Sequence, residues 1–296
     1  ICYGWNESRE DLFFCPGIVA AYAALINLLT EPGDGIVLQR PIYYPFTNKA
    51  NSNGRVPVDN ALIYENGAYR IDFEDLDKKM ADPANKVLVV CSPHNPTGRV
   101  WEREEIEKAM EIYKANECVV ISDEIWSDLT LPGFKHIPTQ SVSKDARERT
   151  IALYAPSKTF NLAGLQISNI FIPNEKLRKA FQTEIDKTGY DEPNALGIVA
   201  CEAAYRAGED WLDQLRAYLL KNLNFLRNFL QEKIPQIHLV EPEGTYLVWL
   251  DCSELGITGK ELDQFIVDKA GLWLDGGSMF GPSGAAFQRV NIACPQ

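Results

Sequence analysis

Three short apolar segments, each followed closely by polar residues, restrict the fold of this chain more than any other feature. They span residues 86–91, 118–122 and 150–154 and are rich in valine, isoleucine and leucine. Continuous apolar runs of this length are typical of parallel strands that are buried on both faces. The sequence therefore predicts a parallel sheet that is covered by helices on both sides.

The stretch between the first two segments supports this prediction. In residues 103–116, Ile106, Ala109, Met110 and Tyr113 recur at the spacing of one helix face, and charged residues occupy the opposite face. This spacing predicts an amphipathic helix with one buried stripe. A strand, a helix and a second strand in this order form a βαβ unit.

One chemically distinctive residue lies shortly after each apolar segment: Asn95, Asp123 and Lys158. Because right-handed crossovers align parallel strands, we expect all three residues at the carboxyl edge of one sheet. Pyridoxal 5′-phosphate (PLP) requires this set: an amine for its aldehyde, a carboxylate for its ring nitrogen and a donor to its ring oxygen. A single lysine after a strand is more often a surface residue, so the prediction depends on all three together.

Longer motifs around these residues carry a family resemblance. Segments 92–101, 121–125, 155–166, 243–251 and 287–295 match, in order and spacing, the class I/II aminotransferase superfamily of fold-type I PLP enzymes. The chain most resembles the MalY/PatB group of cystathionine β-lyases, over practically its whole length. The resemblance implies an α/β fold in which a mostly parallel sheet is sandwiched by helices, with a smaller α+β domain at the C-terminal end.

The domains are expected to meet near residue 206. Residues 1–205 would form the large PLP-binding domain and residues 206–296 the small domain. Both are expected to be incomplete, because the chain starts and ends short of the family's usual length. The elements predicted for the small domain are a long helix up to residue 235, a strand at 245–250, a helix at 259–269 and a strand ending at residue 293.

The resemblance also implies roles for individual residues. Lys158 would be the Schiff-base lysine, Asp123 the partner of the pyridinium nitrogen, and Asn95 the donor to the ring oxygen. Tyr43 matches the aromatic residue that stacks on the cofactor ring. Tyr44 is the alternative, and both tyrosines are also compatible with simple core packing.

Arg289 matches the arginine that holds the substrate α-carboxylate. Its planar guanidinium suits a bidentate grip on a carboxylate. Without the family pattern, a surface arginine between apolar neighbours would be the preferred interpretation.

A phosphate site is predicted at the start of the helix expected over residues 18–29. Free N–H groups of Gly17, Ile18 and Val19 would bind an anion there. Taken alone this signal is weak, because a helix that begins after a proline is more often an ordinary core helix.

Three positions depart from the pattern of the wider aminotransferases. Ala155 and Gln166 stand where many relatives have a phosphate-binding serine and arginine, and Ser157 is expected to compensate. The glutamine is itself a feature of the lyase group, so it favours a lyase. Trp126 replaces the histidine usual in that group, and it lacks a hydrogen-bond acceptor.

The resemblance implies β-elimination from cystathionine or a related L-cysteine thioether, which yields a thiol, pyruvate and ammonia. An aminotransferase acting on a small amino acid is the alternative, because both reactions share every step up to removal of the Cα proton. A second alternative is a ligand-binding or regulatory protein with the same fold. A homodimer is expected from the family.

Composition narrows the remaining choices. The chain has 296 residues and a formal net charge of −12, so nucleic acid is not an expected partner. No apolar run reaches the length of about 18 residues that spans a membrane. The chain contains seven widely separated cysteines and three separated histidines, which favour reduced thiols in a cytoplasmic protein over a metal site.

Overall fold

The structure is a computed structural model that describes residues 8–190 and 192–295. Within these ranges the strands, in chain order, are β1 (Leu12–Cys15), β2 (Gly35–Leu38), β3 (Val56–Asp59), β4 (Ile63–Glu65), β5 (Ala68–Arg70), β6 (Asn85–Cys91), β7 (Val119–Asp123), β8 (Thr150–Tyr154), β9 (Ser168–Phe171), β10 (His238–Val240), β11 (Leu247–Asp251), β12 (Asp275–Gly276) and β13 (Phe287–Asn291). The α-helices are α1 (Ile18–Leu29), α2 (Tyr44–Ser52), α3 (Phe73–Met80), α4 (Arg103–Ala115), α5 (Lys144–Arg149), α6 (Pro156–Thr159), α7 (Glu175–Asp186), α8 (Ala195–Ala207), α9 (Glu209–Lys233) and α10 (Gly259–Phe265).

The larger sheet has seven strands in the order β1-β9-β8-β7-β6-β2-β3. Strands β2, β3, β6, β7 and β8 are mutually parallel, whereas β9 is antiparallel to both of its neighbours. The predicted α/β class with a mostly parallel sheet is therefore confirmed. The three strands predicted from the apolar segments are β6, β7 and β8, and they lie side by side.

Burial on two faces explains why these strands have no polar alternation. Successive residues of β6 point to opposite faces, so Val87 and Val89 pack in one hydrophobic cluster and Leu88 and Val90 in another. Helix α1 contributes to the first cluster and α4 to the second. The predicted stripe of α4 is confirmed, because all four of its apolar residues are buried.

A second, antiparallel sheet follows in the order β10-β11-β13-β12. The strand predicted at 245–250 begins two residues later, because Thr245 adopts a left-handed conformation (φ 73°) and its Oγ1 accepts a hydrogen bond from Leu247 N–H (3.0 Å). The helix predicted at 259–269 is α-helical only to Phe265, and a π-helical turn replaces its last part.

Two further boundaries predicted from the sequence lie near the ends of elements. The strand expected to end at Ala293 ends at Asn291, whose Oδ1 accepts a hydrogen bond from Ala293 N–H (2.8 Å). The expected domain boundary at residues 205/206 lies in the last turn of α8. That boundary stays a prediction.

The two sheets are joined by residues 243–245, which we call the anchor segment. Two N–H groups of this segment donate to the carbonyl oxygen of Gly98, at 2.9 and 3.0 Å. On its other side the segment accepts from Leu131 N–H (2.8 Å) and donates to the Leu129 carbonyl (2.7 Å). Arg99 Nε pairs with the glutamate carboxylate of the segment at 3.0 Å. The entry to β11 is thus held between the loops that follow β6 and β7.

We expect Gly277→Ala to destabilise the fold. A Cβ at Gly277 would overlap the Gly284 carbonyl oxygen and lie 2.6 Å from the Phe287 carbonyl oxygen. Backbone atoms cannot move aside cheaply, so we expect a loss of about 1–3 kcal/mol in the free energy of unfolding, measured by urea denaturation. Gly164→Ala is the matched control, because nothing lies within 4 Å of the added atom. Equal unfolding midpoints for the two variants would show that the backbone around Gly277 accommodates a side chain.

Candidate active site

Adjacent parallel strands bring the predicted residues together. In the register of β6, β7 and β8, Cys91 is opposite Asp123, and Asp123 is opposite Leu153. The carboxyl ends of all three strands therefore meet at one edge of the sheet. Asp123 is the last residue of β7, while Asn95 lies in the loop beyond β6 and Lys158 in the single turn of α6.

A cleft of about 590 Å³ opens at this edge, between the two sheets. All of the residues predicted for the site from the sequence line it: Gly17, Ile18, Val19, Tyr43, Asn95, Asp123, Ser157, Lys158 and Arg289. Segments at the ends of five strands of the large sheet (β1, β2, β6, β7 and β8) and one strand of the small sheet (β13) thus share one cavity. A cleft between two layers, with a few converging polar groups, is a typical small-molecule site.

Lys158 is half-buried in this cleft. Burial lowers the pKa of Lys158 below its ordinary value; the charge of Asp123 opposes this shift and the charge of Arg289 adds to it. The Lys158 ammonium lies 5.7 Å from the centre of the Trp126 ring. A lysine with a lowered pKa has more of its amine in the neutral form, which can act as a nucleophile or a base.

Asp123 is almost fully buried and has few hydrogen-bond partners. Its Oδ1 accepts from Ile125 N–H at 3.1 Å, and the Cys91 sulfur lies 3.9 Å from Oδ2. Burial raises the pKa of Asp123 to about 7. A cationic N–H donor would stabilise this carboxylate, and the protonated ring nitrogen of PLP is such a donor. The site therefore fits the cofactor at this atom.

The neighbouring Glu124 has the opposite environment. Its carboxylate accepts from Ser122 Oγ (2.8 Å) and Thr139 N–H (3.0 Å), and it lies 2.6 Å from His136 Nε2. Although burial alone would raise its pKa, His136 and the hydrogen bonds hold the pKa of Glu124 below its ordinary value. Tyr154 donates to it as well. This network, which sequence reasoning missed, satisfies Glu124 inside the fold and leaves Asp123 as the buried carboxylate that lines the cleft.

The start of α1 has the features of an anion site. Gly17 is its N-cap with φ 156°, an angle that other residues rarely adopt, and no side chain caps the helix. The first turn contains no acidic residue, and Gly17, Ile18 and Val19 line the cleft, so no side chain of this turn repels an anion there. Ala155, Ser157 and Gln166 line the same cavity. These groups fit a phosphate.

Tyr43 and Tyr44 both line the cleft, but they face different neighbours. The Tyr43 ring packs edge-on against Phe46, and Asp123 contributes to raising the Tyr43 pKa, after burial and Tyr44. The Tyr44 ring instead packs against Phe280, at 6.3 Å between ring centres. This arrangement favours Tyr43 as the aromatic residue beside the cofactor ring.

Arg289, on β13, is held by three neighbours. Its Nη1 donates to Asn95 Oδ1 at 2.8 Å, its Nε donates to Asp275 Oδ2 at 3.1 Å, and its guanidinium carbon lies 4.7 Å from the centre of the Phe280 ring. The contact with Asn95 Oδ1 leaves the amide Nδ2 of Asn95 as the group that can donate into the cleft. Sequence reasoning missed the contacts of Asp275 and Phe280 with Arg289, because nothing in their local pattern predicts a pairing with that arginine.

Residues 8–190 and 192–295 contain neither a candidate metal site nor a helix that could span a membrane. These residues contain no group of three or more histidine, cysteine, aspartate or glutamate side chains that could hold a metal ion. No helix among them is long and apolar enough to cross a bilayer. The free cysteines described there are Cys15, Cys91, Cys118, Cys201 and Cys252, all buried, and the exposed Cys294. The seventh cysteine, Cys2, lies outside the described residues.

Comparison with known proteins identifies the family. The model for aminotransferase class I and II matches residues 2–296. The chain is 42% identical over 292 residues to cystathionine β-lyase PatB of Bacillus subtilis (strain 168), covering 99% of this chain and 76% of PatB. It is 31% identical over 288 residues to protein MalY of Escherichia coli (strain K12), covering 97% of this chain and 73% of MalY.

Solved structures agree. Cystalysin from Treponema denticola, which contains a PLP cofactor, superimposes with a TM-score of 0.97 at 36% identity, covering 99% of this chain and 74% of cystalysin. The PLP-bound C-S lyase from Staphylococcus hominis gives a TM-score of 0.93 at 37% identity, covering 99% of this chain and 74% of that protein. This chain therefore belongs to the aminotransferase class I and II family, and within it to the group of MalY- and PatB-like proteins.

Proposed function

We propose that this protein is a PLP-dependent carbon–sulfur lyase that converts cystathionine or a related L-cysteine thioether to a thiol, pyruvate and ammonia. The observation that carries the proposal is one cleft lined by Lys158, Asp123 and Arg289. These residues supply an amine, a buried carboxylate and a carboxylate-binding guanidinium. The relatives named as cystathionine β-lyases and C-S lyases support elimination as the reaction.

Several residues would hold the cofactor. Asp123 would hold the protonated ring nitrogen, Asn95 would donate to the ring oxygen, and Tyr43 would stack on the ring. The N–H groups of Gly17, Ile18 and Val19, together with Ser157, would bind the phosphate. When bound, PLP supplies an electron sink that stabilises negative charge at the substrate Cα.

The chain's own residues would then act on the substrate. Arg289 binds the α-carboxylate, which orients the Cα–H bond toward Lys158. The neutral amine of Lys158, favoured by its lowered pKa, takes the Cα proton at Nζ. The Cβ–S bond breaks with departure of the thiolate while the Cα–Cβ double bond forms, and hydrolysis of the released aminoacrylate gives pyruvate and ammonia.

Trp126, in the loop after β7, and Tyr246, directly before β11 of the small sheet, shape the same cleft. Their rings meet edge-to-face at 4.8 Å between centres, and both line the cavity. An aromatic wall offers packing for the apolar parts of a thioether side chain. No second arginine lines the described cavity, so a second carboxylate close to the first would find no matching guanidinium.

Assembly, location and domain division are further parts of the proposal. A homodimer is proposed from the family resemblance. Cytoplasmic location is supported by the buried free thiols, which suit a reducing compartment. The division into residues 1–205 and 206–296 is supported by the separate sheets. The aminotransferase and the ligand-binding protein remain the alternatives, and the products formed from cystathionine distinguish them.

Lys158→Ala should abolish function. The variant should lose the visible absorption of the bound cofactor and at least about a hundredfold in turnover, because both the amine and the base are removed. Absorption spectra and pyruvate release measure this. Lys78→Ala is the control, since Lys78 is an exposed residue of α3 paired with Glu74. An unchanged absorption spectrum in Lys158→Ala would show that Lys158 does not bind the cofactor.

Asp123→Asn should lower kcat roughly a hundredfold with a smaller change in KM, because an amide cannot keep the ring nitrogen protonated. Steady-state kinetics on the cofactor-loaded variant measure this. Asp186→Asn, at an exposed aspartate of α7 that pairs with Gln182, is the control. A kcat near that of the wild type would give Asp123 a different role.

The same variant should also change the pH dependence of stability in the cofactor-free protein. The unfolded chain releases the Asp123 proton near pH 3.8, whereas burial raises the folded-state pKa to about 7. The unfolded state therefore binds fewer protons between these values, and wild-type stability falls as pH rises through this window. Asp123→Asn should remove that loss, so it should gain a few kcal/mol relative to the wild type by pH 7, measured by urea denaturation.

The products formed from cystathionine test the reaction itself. We expect equimolar pyruvate and ammonia, with a thiol that reacts with a thiol reagent. A keto acid that retains sulfur, formed only when a 2-oxo acid acceptor is present, would identify an aminotransferase instead. Tight binding of cystathionine without any product would favour the ligand-binding alternative.

A further inference from the structure

Arg289 and Asp275 form an ion pair inside the candidate active site. They are direct cross-strand partners in the antiparallel pair of β12 and β13. Both Nε and Nη2 of Arg289 donate to Asp275 Oδ2, with the Nε contact at 3.1 Å. Both residues line the cleft. Two N–H groups of one guanidinium therefore already meet a carboxylate oxygen.

The position of Arg289 does not depend on this pair alone. Asn95 Oδ1 accepts from Nη1 at 2.8 Å, and the guanidinium carbon lies 4.7 Å from the centre of the Phe280 ring. Asn95 and Phe280 are both buried, with exposed fractions of 4% and 1%. These two neighbours keep the guanidinium in place when its contact with Asp275 is broken.

The two members of the ion pair differ in their freedom to move. The Arg289 side chain is 11% exposed, whereas the Asp275 side chain is 45% exposed. Asp275 can turn toward solvent at little cost, because a half-exposed carboxylate stays hydrated. The Arg289 and Asn95 side chains are largely buried, so they cannot turn toward solvent in this way.

From this geometry we propose that Asp275 competes with the substrate's α-carboxylate for Arg289. Its Oδ2 stands in for one oxygen of that carboxylate. The proposal rests on the proposed function, in which Arg289 binds an amino acid. Asp275 occupies the Nε and Nη2 edge of the guanidinium, one of the edges that can bind a carboxylate bidentately, and its charge repels a second carboxylate that approaches the remaining N–H groups. Asp275 is the contact that can leave, and it therefore weakens the affinity of the site for every carboxylate ligand.

The test is a binding measurement on the cofactor-loaded protein with propionate, which carries a carboxylate but cannot react. Asp275→Asn removes the charge and keeps a side-chain oxygen, whereas Asp275→Ala removes both the charge and the side-chain oxygens. Both variants should bind propionate roughly two- to tenfold more tightly than the wild type, measured by calorimetry and by competition against a thioether substrate. Asp268→Asn is the control for net charge, since Asp268 is an exposed residue of the π-helical turn that pairs with Gln264. It should leave propionate affinity at the wild-type value.

Three outcomes would overturn the proposal. Unchanged propionate affinity in both Asp275 variants would mean that Arg289 binds both carboxylates at once. Weaker affinity would mean that Asp275 holds Arg289 in its binding position. An equal increase in propionate affinity in Asp268→Asn would mean that the effect comes from net charge alone. Failure of the proposed function is distinguished by the wild type, which would then neither take up PLP nor cleave a thioether.

Discussion

The parallel register of β6, β7 and β8 is the constraint on which the rest of the structure depends. Both faces of these strands are covered, so their apolar side chains can pack into the hydrophobic clusters on both faces only in one alignment. That alignment sets Cys91 opposite Asp123 and Asp123 opposite Leu153, and thereby fixes where each strand ends. A shift of one residue in β7 would turn Asp123 away from the cleft and bring Ser122 or Glu124 to its place. The same strand register is consequently required both for the packing of the core and for the chemistry of the site.

The electrostatic environments of two adjacent carboxylates, Asp123 and Glu124, differ and give them different roles. Glu124 is surrounded by donors and by His136, so it is stabilised as an anion within the fold. Asp123 has one backbone donor and a distant thiol, and its pKa is correspondingly raised by burial. Asp123 is the last residue of β7, and Glu124 continues its pairing through an N–H that donates to the Leu153 carbonyl oxygen, so the alternation of side chains along an extended chain gives these neighbouring acids different surroundings. The less satisfied of the two is the one left for a ligand.

Sequence reasoning predicted the parts of the fold that depend on local pattern. It predicted helix α1 with the bounds Ile18–Leu29 from an alanine- and leucine-rich run after Pro16 and Gly17. It predicted the buried stripe of α4 from the periodicity of its apolar residues. The shared cleft of Asn95, Asp123 and Lys158 also followed from strand ends and crossover handedness. The pairing of Asp275 with Arg289 could not be predicted, because it arises from the register of two strands in the small sheet. The left-handed Thr245, which delays β11, was missed because threonine is usually favourable in a strand.

The anchor segment at residues 243–245 has a consequence for motion. Hydrogen bonds from two loops of the large sheet hold it on both sides, so a rotation of the small sheet that keeps these bonds would pivot there. Arg289 lies one strand away, opposite Trp249, which places it within roughly 15 Å of that pivot. A rotation of about 10° would then displace the guanidinium by no more than roughly 3 Å. Even a displacement of this size would break the hydrogen bond between Arg289 and Asn95, so the grip on a carboxylate requires one particular position of the small sheet.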